Sequence, residues 1–343
     1  MPLQEREREV LITILESYIK TAAPVGSRTV AKLSNLNLSP ASIRNIMADL
    51  TEKGYLDQPH TSAGRAPTAK AFRFYLDAGM RPHPVGETEK RRIDATLSSA
   101  GLEIGAVLKQ ASRTLSDCSL QVGMVIAPRH ADAMWKRIEF ALIKPGLVLT
   151  ILILQGGMVL QRLIVTSKDL DGDDLIRYGN YLNHLFKDLT VAEVRAKLAA
   201  EVKRVEKRLG EMYLDALKLV MEAFEAENAP ELIVDGAANI LAHPEFSDIS
   251  HMREALSVLE ERSRLLELLD KTMDEFKTVI IIGEESDMAG LTDFGMISTP
   301  YGSKEHPLGA VGLLGPIRMD YAKLVPVVNY TASILTKMLD RNF

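Results

Sequence analysis

Residues 25–67 read VGSRTVAKLSNLNLSPASIRNIMADLTEKGYLDQPHTSAGRAP, and the order of signals in this stretch decides the fold of the amino-terminal part. A short helix, a turn, a second helix and a glycine-bearing hairpin follow one another, as a winged helix-turn-helix requires. Ser27 is expected to cap the first of these helices, which carries Val30, Ala31 and Leu33. A turn at Asn35 and Asn37 leads to Ser39-Pro40, an N-cap followed by a residue whose missing N–H costs nothing in the first turn. From Pro40 to Lys53, the spacing of Ile43, Ile46, Met47 and Leu50 is i, i+3, i+4, i+7, the buried stripe of a helix. Its opposite side carries Ala41, Arg44, Asn45, Ala48 and Glu52. Arg and Asn pair bidentately with guanine and adenine edges, and alanines let a helix approach the groove closely. Gly54 stops the helix.

A strand is expected from Tyr55-Leu56, and His60-Thr61-Ser62-Ala63-Gly64-Arg65 read as the tip of the wing. Thr61, Ser62 and backbone N–H groups suit phosphate contacts, and Arg65 suits a phosphate or the minor groove. His60 reads as a structural residue of the wing or as a wing contact, with nothing nearby to make it a metal ligand or a base. The candidate DNA-binding residues are therefore Arg28, Ser39, Ala41, Ser42, Arg44, Asn45, His60, Thr61, Ser62 and Arg65. A lone exposed arginine is ordinarily just solvated. The Arg44-Asn45 pair on a small-residue face beside a polar wing is what gives these two a reading role. Upstream, Gln4 to Lys20 forms an amphipathic helix with Val10, Leu11, Ile14, Leu15 and Tyr18 on one face.

The net charge of −5 is unevenly spread. Residues 1–82 hold 11 Lys and Arg against 8 Asp and Glu, while the remainder holds 30 against 38. A mildly basic head on an acidic body orients the head toward DNA. The single cysteine, Cys118, excludes an internal disulfide and fits a reducing cytoplasm. The charged start lacks the apolar core of a signal peptide, and the longest apolar stretch, Gly146 to Leu154, is too short to span a bilayer.

At 343 residues the chain should hold two or three domains. Arg81-Pro82-His83-Pro84-Val85-Gly86 marks a domain break. Beyond it a helix carrying Ile93, Leu97, Ile104, Val107 and Leu108 is expected. Strands follow at 120–127, 135–143, 148–154 and 159–165, then a helix at about 174–186. The stretch 191–227 is mostly helical, with charges of alternating sign such as Glu201, Lys203, Arg204, Glu206, Lys207 and Arg208. A strand at 232–234, a short helix at 239–241 and a long helix from about Ile249 to Met273 come next. Strands at 279–283, 295–299 and 309–314 and a last helix at 321–339 end the chain. This order suggests an α/β domain, 81–189 with 263–343, interrupted by an insertion at 190–262.

No catalytic constellation is present in the sequence: there is no Gly-x-Ser-x-Gly elbow, P-loop or dinucleotide fingerprint, and no His pair at metal-ligand spacing. Asp169-x-Asp171-Gly172-Asp173-Asp174 fails the EF-hand pattern and reads as a turn with a helix cap. Gly315 to Tyr321 reads as a tight strand-to-helix turn, with Asp320 capping and Arg318 in an internal ion pair, in preference to the lining of a ligand pocket. No enzyme, cofactor or metal is expected.

Residues 21–75 carry a resemblance to a known family. Pro24-Val25-Gly26-Ser27-Arg28-Thr29, Ser39-Pro40-Ala41-Ser42-Ile43-Arg44-Asn45 and Pro59-His60-Thr61-Ser62-Ala63-Gly64-Arg65 resemble the heat-inducible transcription repressors of the HrcA family. The pattern returns at Val234-Asp235-Gly236, Pro244-Glu245-Phe246 and Gly315 to Tyr321, so it covers the whole chain. Ala22-Ala23 and Ala71 depart from family glycines without touching the DNA-facing residues. The resemblance implies an α+β multidomain plan: a winged helix-turn-helix at 1–80, a GAF-like domain and an inserted dimerisation domain. It also implies a cytoplasmic homodimer that binds the CIRCE inverted-repeat operator on double-stranded DNA and is kept active by a GroEL-type chaperonin. The alternative is a winged-helix regulator that senses a metabolite in its GAF-like domain.

Overall fold

The computed structural model describes residues 3–58, 64–78, 80–101, 103–128, 134–154, 159–166, 170–194, 196–198, 216, 217, 219, 232–286, 291–303 and 307–342. The head begins with α1 (Glu5–Thr21), whose Val10, Leu11, Ile14 and Leu15 are fully buried. Helices α2 (Ser27–Leu33) and α3 (Pro40–Glu52) follow, then the two-residue strands β1 (Leu56–Asp57) and β2 (Ala66–Pro67) and helix α4 (Ala69–Ala78). The N-cap of α2 is Gly26; Ser27 is the first helical residue and lies buried at 9% exposure, so the expected serine cap is corrected. Ser39 does cap α3, its hydroxyl accepting from the Ser42 N–H at 3.1 Å with Pro40 at the first helical position. Gly54 lies beyond the helix end at φ +76°, a conformation that side chains with a Cβ rarely adopt.

The body is built on a five-stranded antiparallel sheet. Its strands are β3 (Val122–Ile126), β7 (Leu232–Asp235), β8 (Val279–Ile282), β9 (Phe294–Gly302) and β10 (Pro307–Pro316), in spatial order β7-β3-β10-β9-β8. Helices cover both faces, giving the mixed helix-and-sheet architecture that the resemblance implied. On one side lie α5 (Glu87–Ser98), α6 (Ile104–Ser119) and the carboxy-terminal helix (Tyr321–Asn342); on the other, helices Ile249–Glu260 and Arg262–Glu275. Two expected single helices are each split. Ser99 to Glu103 separates α5 from α6, with Gly101 at φ +82°, and Glu261, at ψ 62°, parts the second pair.

A separate three-stranded sheet, β4 (Trp135–Lys144), β5 (Leu147–Leu154) and β6 (Val159–Val165), packs with α7 (Gly172–Leu185) around its own core of Trp135, Ile138, Leu152, Tyr178 and Phe186. Asp171 caps α7 by accepting from the Asp174 N–H at 2.8 Å, as the sequence indicated; Asp169 lies outside the described residues. Strand pairing corrects the expected domain boundaries. Strand β7 pairs with β3 in register Gly123↔Asp235 to Ile126↔Leu232, and helix Ile249–Glu260 packs into the main core. The main domain is thus left after β3 and re-entered at β7, so its interruption lies within 127–231 and not at 190–262. The charged stretch 201–208 is outside the described residues. Among the described residues no helix is long and apolar enough to cross a membrane.

Candidate nucleic-acid interface

Helix α3 packs through Ile43, Met47 and Leu50, each at most 4% exposed, with Ile46 half-buried at the edge. That stripe leaves Ala41, Ser42, Arg44, Asn45, Ala48 and Glu52 in solvent on the other side. Among the described residues no hydrogen bond or ion pair engages the side chain of Arg44 or Asn45. The face sets two polar side chains, Arg44 and Asn45, between the small residues Ala41 and Ala48, and Arg and Asn are the side-chain types that can fork onto base edges. Ser39 and Ser42 are exposed too, but their hydroxyls lie 3.0 Å apart and serve the cap. Arg28 is exposed on α2.

Each end of α3 is fixed. Beyond its carboxy-terminal end Lys53 bonds both carboxylate oxygens of Glu7 on α1, at 2.6 and 2.8 Å. The Lys53 hydrogen bond holds the Glu7 carboxyl below the usual glutamate range. Lys70 from α4 donates to the Lys53 carbonyl at 2.7 Å with its ammonium 4.5 Å over the Tyr55 ring, placing a cation at the negative end of the helix. None of these partners was legible beforehand, since a pairing over 46 residues leaves no periodic trace.

The base of the wing is described; its tip is not. His60, Thr61 and Ser62 lie outside the described residues. Strands β1 and β2 pair as Leu56↔Pro67 and Asp57↔Ala66, and one residue earlier Arg65 exchanges two backbone hydrogen bonds with Val25, each 2.9 Å. The wing is therefore anchored to the loop between α1 and α2. The Arg65 side chain does not simply project outward: its Nε donates to Thr51 Oγ1 at 3.1 Å, tying the wing to the last turn of α3. Gly64 is required for this closure, because a Cβ there would stand 2.4 Å from the Val25 carbonyl oxygen.

Elsewhere, the Gly315–Tyr321 turn is built as expected. Arg318 pairs with Glu245, and the Asp320 carboxylate accepts from the Lys323 N–H at 3.2 Å. Cys118 is half-buried, and burial pushes its thiol up. Among the described residues no group of three His, Cys, Asp or Glu is placed to hold a metal.

The family described as "HrcA protein C terminal domain" matches residues 105–325. A heat-inducible transcription repressor HrcA from Nitratidesulfovibrio vulgaris (strain DSM 19637 / Miyazaki F) is 48% identical, covering 99% of this chain and 97% of that protein. The protein of the same name from Geobacter sulfurreducens is 38% identical over 98% of each chain. A crystal structure of a hypothetical protein shares the fold over the full length of both chains, with a TM-score of 0.65 at 24% identity.

Proposed function

Because this chain belongs to the heat-inducible transcription repressor HrcA family, we propose that it represses heat-shock operons by binding, as a cytoplasmic homodimer, to a CIRCE-type inverted repeat. The observation that carries this reading is the solvent-facing Ala41-Arg44-Asn45-Ala48 surface of α3, with the anchored wing base beside it. Each head reads one half-site, α3 in the major groove and the wing on flanking backbone. One head covers too few base pairs to be specific, so two are needed, about one helical turn or a multiple of it apart.

The separate sheet supplies the surface that supports dimerisation. Strand β5 is apolar on both faces: Val148, Leu152 and Leu154 point into the core, while Leu147, Leu149, Ile151 and Ile153 alternate with them on the outer side. Such a two-sided apolar strand is typical of one covered on both faces. On the outer side Leu149 stands beside Leu163, and Leu147 beside Val165, which are 58% and 80% exposed at the neighbouring strand. A second copy of the same face is the occupant that a two-fold symmetric reader requires.

Repression is controlled by mass action. A GroEL-type chaperonin raises the folded, DNA-competent fraction; heat diverts it to unfolded clients, that fraction falls, and the operons switch on. The chain then needs no catalytic chemistry of its own. The test is binding of purified protein to a CIRCE duplex and to a scrambled duplex at moderate salt, with and without chaperonin, before and after mild heating. Preference for the inverted repeat, restored after heating only with chaperonin, is the expected result. Equal binding to both duplexes would refute the DNA reading. Thermal stabilisation by a metabolite in place of chaperonin would favour the effector-sensing alternative.

A further inference from the structure

The DNA-binding head is bolted to the body. A single apolar core runs through both: Val10, Leu11, Ile14, Phe72 and Tyr75 of the head are continuous with Met319, Tyr321, Leu324 and Val328 of the body. Phe72 is fully buried with its ring 6.4 Å from that of Tyr321. Around this core lie three polar fastenings. On α4, Arg73 grips both carboxylate oxygens of Glu285, Nε to Oε1 at 2.7 Å, and also donates to the Ile280 carbonyl at 2.8 Å. Glu285 is held in turn by the Ile282 N–H at 3.0 Å. In the turn after β10, Arg318 forks onto Glu245 and reaches the Ile19 carbonyl at 3.4 Å. Ile19 lies in the last turn of α1, where carbonyls have no partner within the helix and a cation meets the negative end of the dipole. The His243 ring completes the site: with Nε2–H donating to the Leu120 carbonyl at 3.3 Å, its Nδ1 faces Arg318 at 3.5 Å. Finally, the connecting segment is pinned by the His83 N–H to the Ala322 carbonyl at 2.8 Å.

These fastenings do not touch the groove-reading face. They engage three different elements, α4, the end of α1 and the connecting segment, and three separate points of attachment fix orientation as well as attachment. We propose that Arg73 and Arg318 are spacing-determining residues: by locking the head on the body they set the separation and rotation of the two recognition helices, and hence the distance between half-sites that the dimer accepts. This rests on the dimeric DNA-binding reading given above. The physical basis is geometric. Each added base pair moves one half-site by about 3.4 Å and turns it by roughly 35° about the duplex axis. A rigid mount cannot follow such a turn without twisting the DNA, whereas a loosened one can. The gain from engaging both half-sites is lost when geometry forbids simultaneous contact.

The test uses the full-length protein and CIRCE duplexes whose spacer is lengthened or shortened by up to about half a helical turn, with a single half-site duplex alongside. Wild type is expected to bind the native spacer best and to lose tenfold or more, on the order of the avidity at stake, when the spacer is changed. Arg73→Gln, Arg318→Gln and the double variant should bind the single half-site as wild type does. Their spacer profile should flatten, to within about threefold across the series for the double variant. Glu285→Gln keeps the shape of the Arg73 partner while removing its charge, and should flatten the profile partly even if the double variant fails to fold. Folded variants that keep the sharp wild-type profile would overturn the proposal. A wild type that binds inverted repeat and scrambled duplex alike would instead overturn the reading it rests on.

Discussion

Gly64→Ala tests how the wing is held. A Cβ on residue 64 falls 2.4 Å from the Val25 carbonyl oxygen, 2.5 Å from the Val25 carbonyl carbon and 2.9 Å from the Gly26 nitrogen. All three are backbone atoms, so no rotamer change relieves the overlap, and van der Waals contact requires the chains to part by about 1 Å. The two hydrogen bonds between Val25 and Arg65, both 2.9 Å, would then stretch well beyond bonding distance. At about 0.5–1.5 kcal/mol net for each, the head loses about 1–3 kcal/mol. Moving the wing should also withdraw phosphate contacts, each worth about one unit in the slope of log affinity against log salt. The assay is urea unfolding together with fluorescence anisotropy on the CIRCE duplex at several salt concentrations. Gly26→Ala is the internal control: a Cβ there meets nothing within 4 Å, so its cost is limited to capping preference, about 1 kcal/mol or less. If Gly64→Ala matched Gly26→Ala in both stability and salt slope, the anchored-wing reasoning would be wrong.

Arg44→Ala should weaken binding to the inverted repeat by about 1–3 kcal/mol while leaving scrambled duplex nearly unaffected; an equal loss on both would reassign Arg44 to phosphate contact. Leu149→Asp together with Leu163→Asp should yield monomers by sedimentation, because a carboxylate on each strand cannot be buried unpaired; a persistent dimer would move the interface off the outer sheet face. Glu7 has its carboxyl lowered by Lys53, so its contribution to stability is present above the ordinary glutamate value of 4.5 and is lost as pH falls through the lowered value. Lys53→Met should therefore flatten the acid limb of a urea-midpoint profile as pH falls below about 4.5, and parallel profiles for the two proteins would exclude the pair as its source.

The reading face was visible in the sequence because it is a matter of local period. Ile43, Met47 and Leu50 fix which side of α3 is buried, and the exposure of Arg44 and Asn45 follows. Ser39-Pro40 and Asp171 behaved as caps for the same reason: the hydrogen bonds they make span three residues. Ser27 did not, since Gly26 already occupies the extended cap position and the serine is turned into the helix. Arg65 shows where local reading stops. Its position at the wing was legible, but its bond to Thr51 depends on how the wing folds back on α3.

Sheet membership is a different kind of information. Alternation along a strand reports which face is buried and says nothing about which strand lies alongside, so β6 and β7 read alike although they belong to different sheets. The interruption was accordingly placed after the strands it contains. One signal did exist: β5 is apolar at seven of its eight positions, Thr150 excepted, too apolar for a strand with one wet face. The seam between head and body is more remote still. Arg73 and Glu285 are 212 residues apart, and Arg318 and Ile19 are 299 apart, so neither pairing follows from spacing. Their consequence is thermodynamic. Because Phe72 and Tyr321 share one core, loosening the body also loosens the head, and the DNA-competent state is lost as a unit. In the proposed switch this coupling lets a folding partner that acts anywhere on the chain set the occupancy of the operator, without any contact at the reading face.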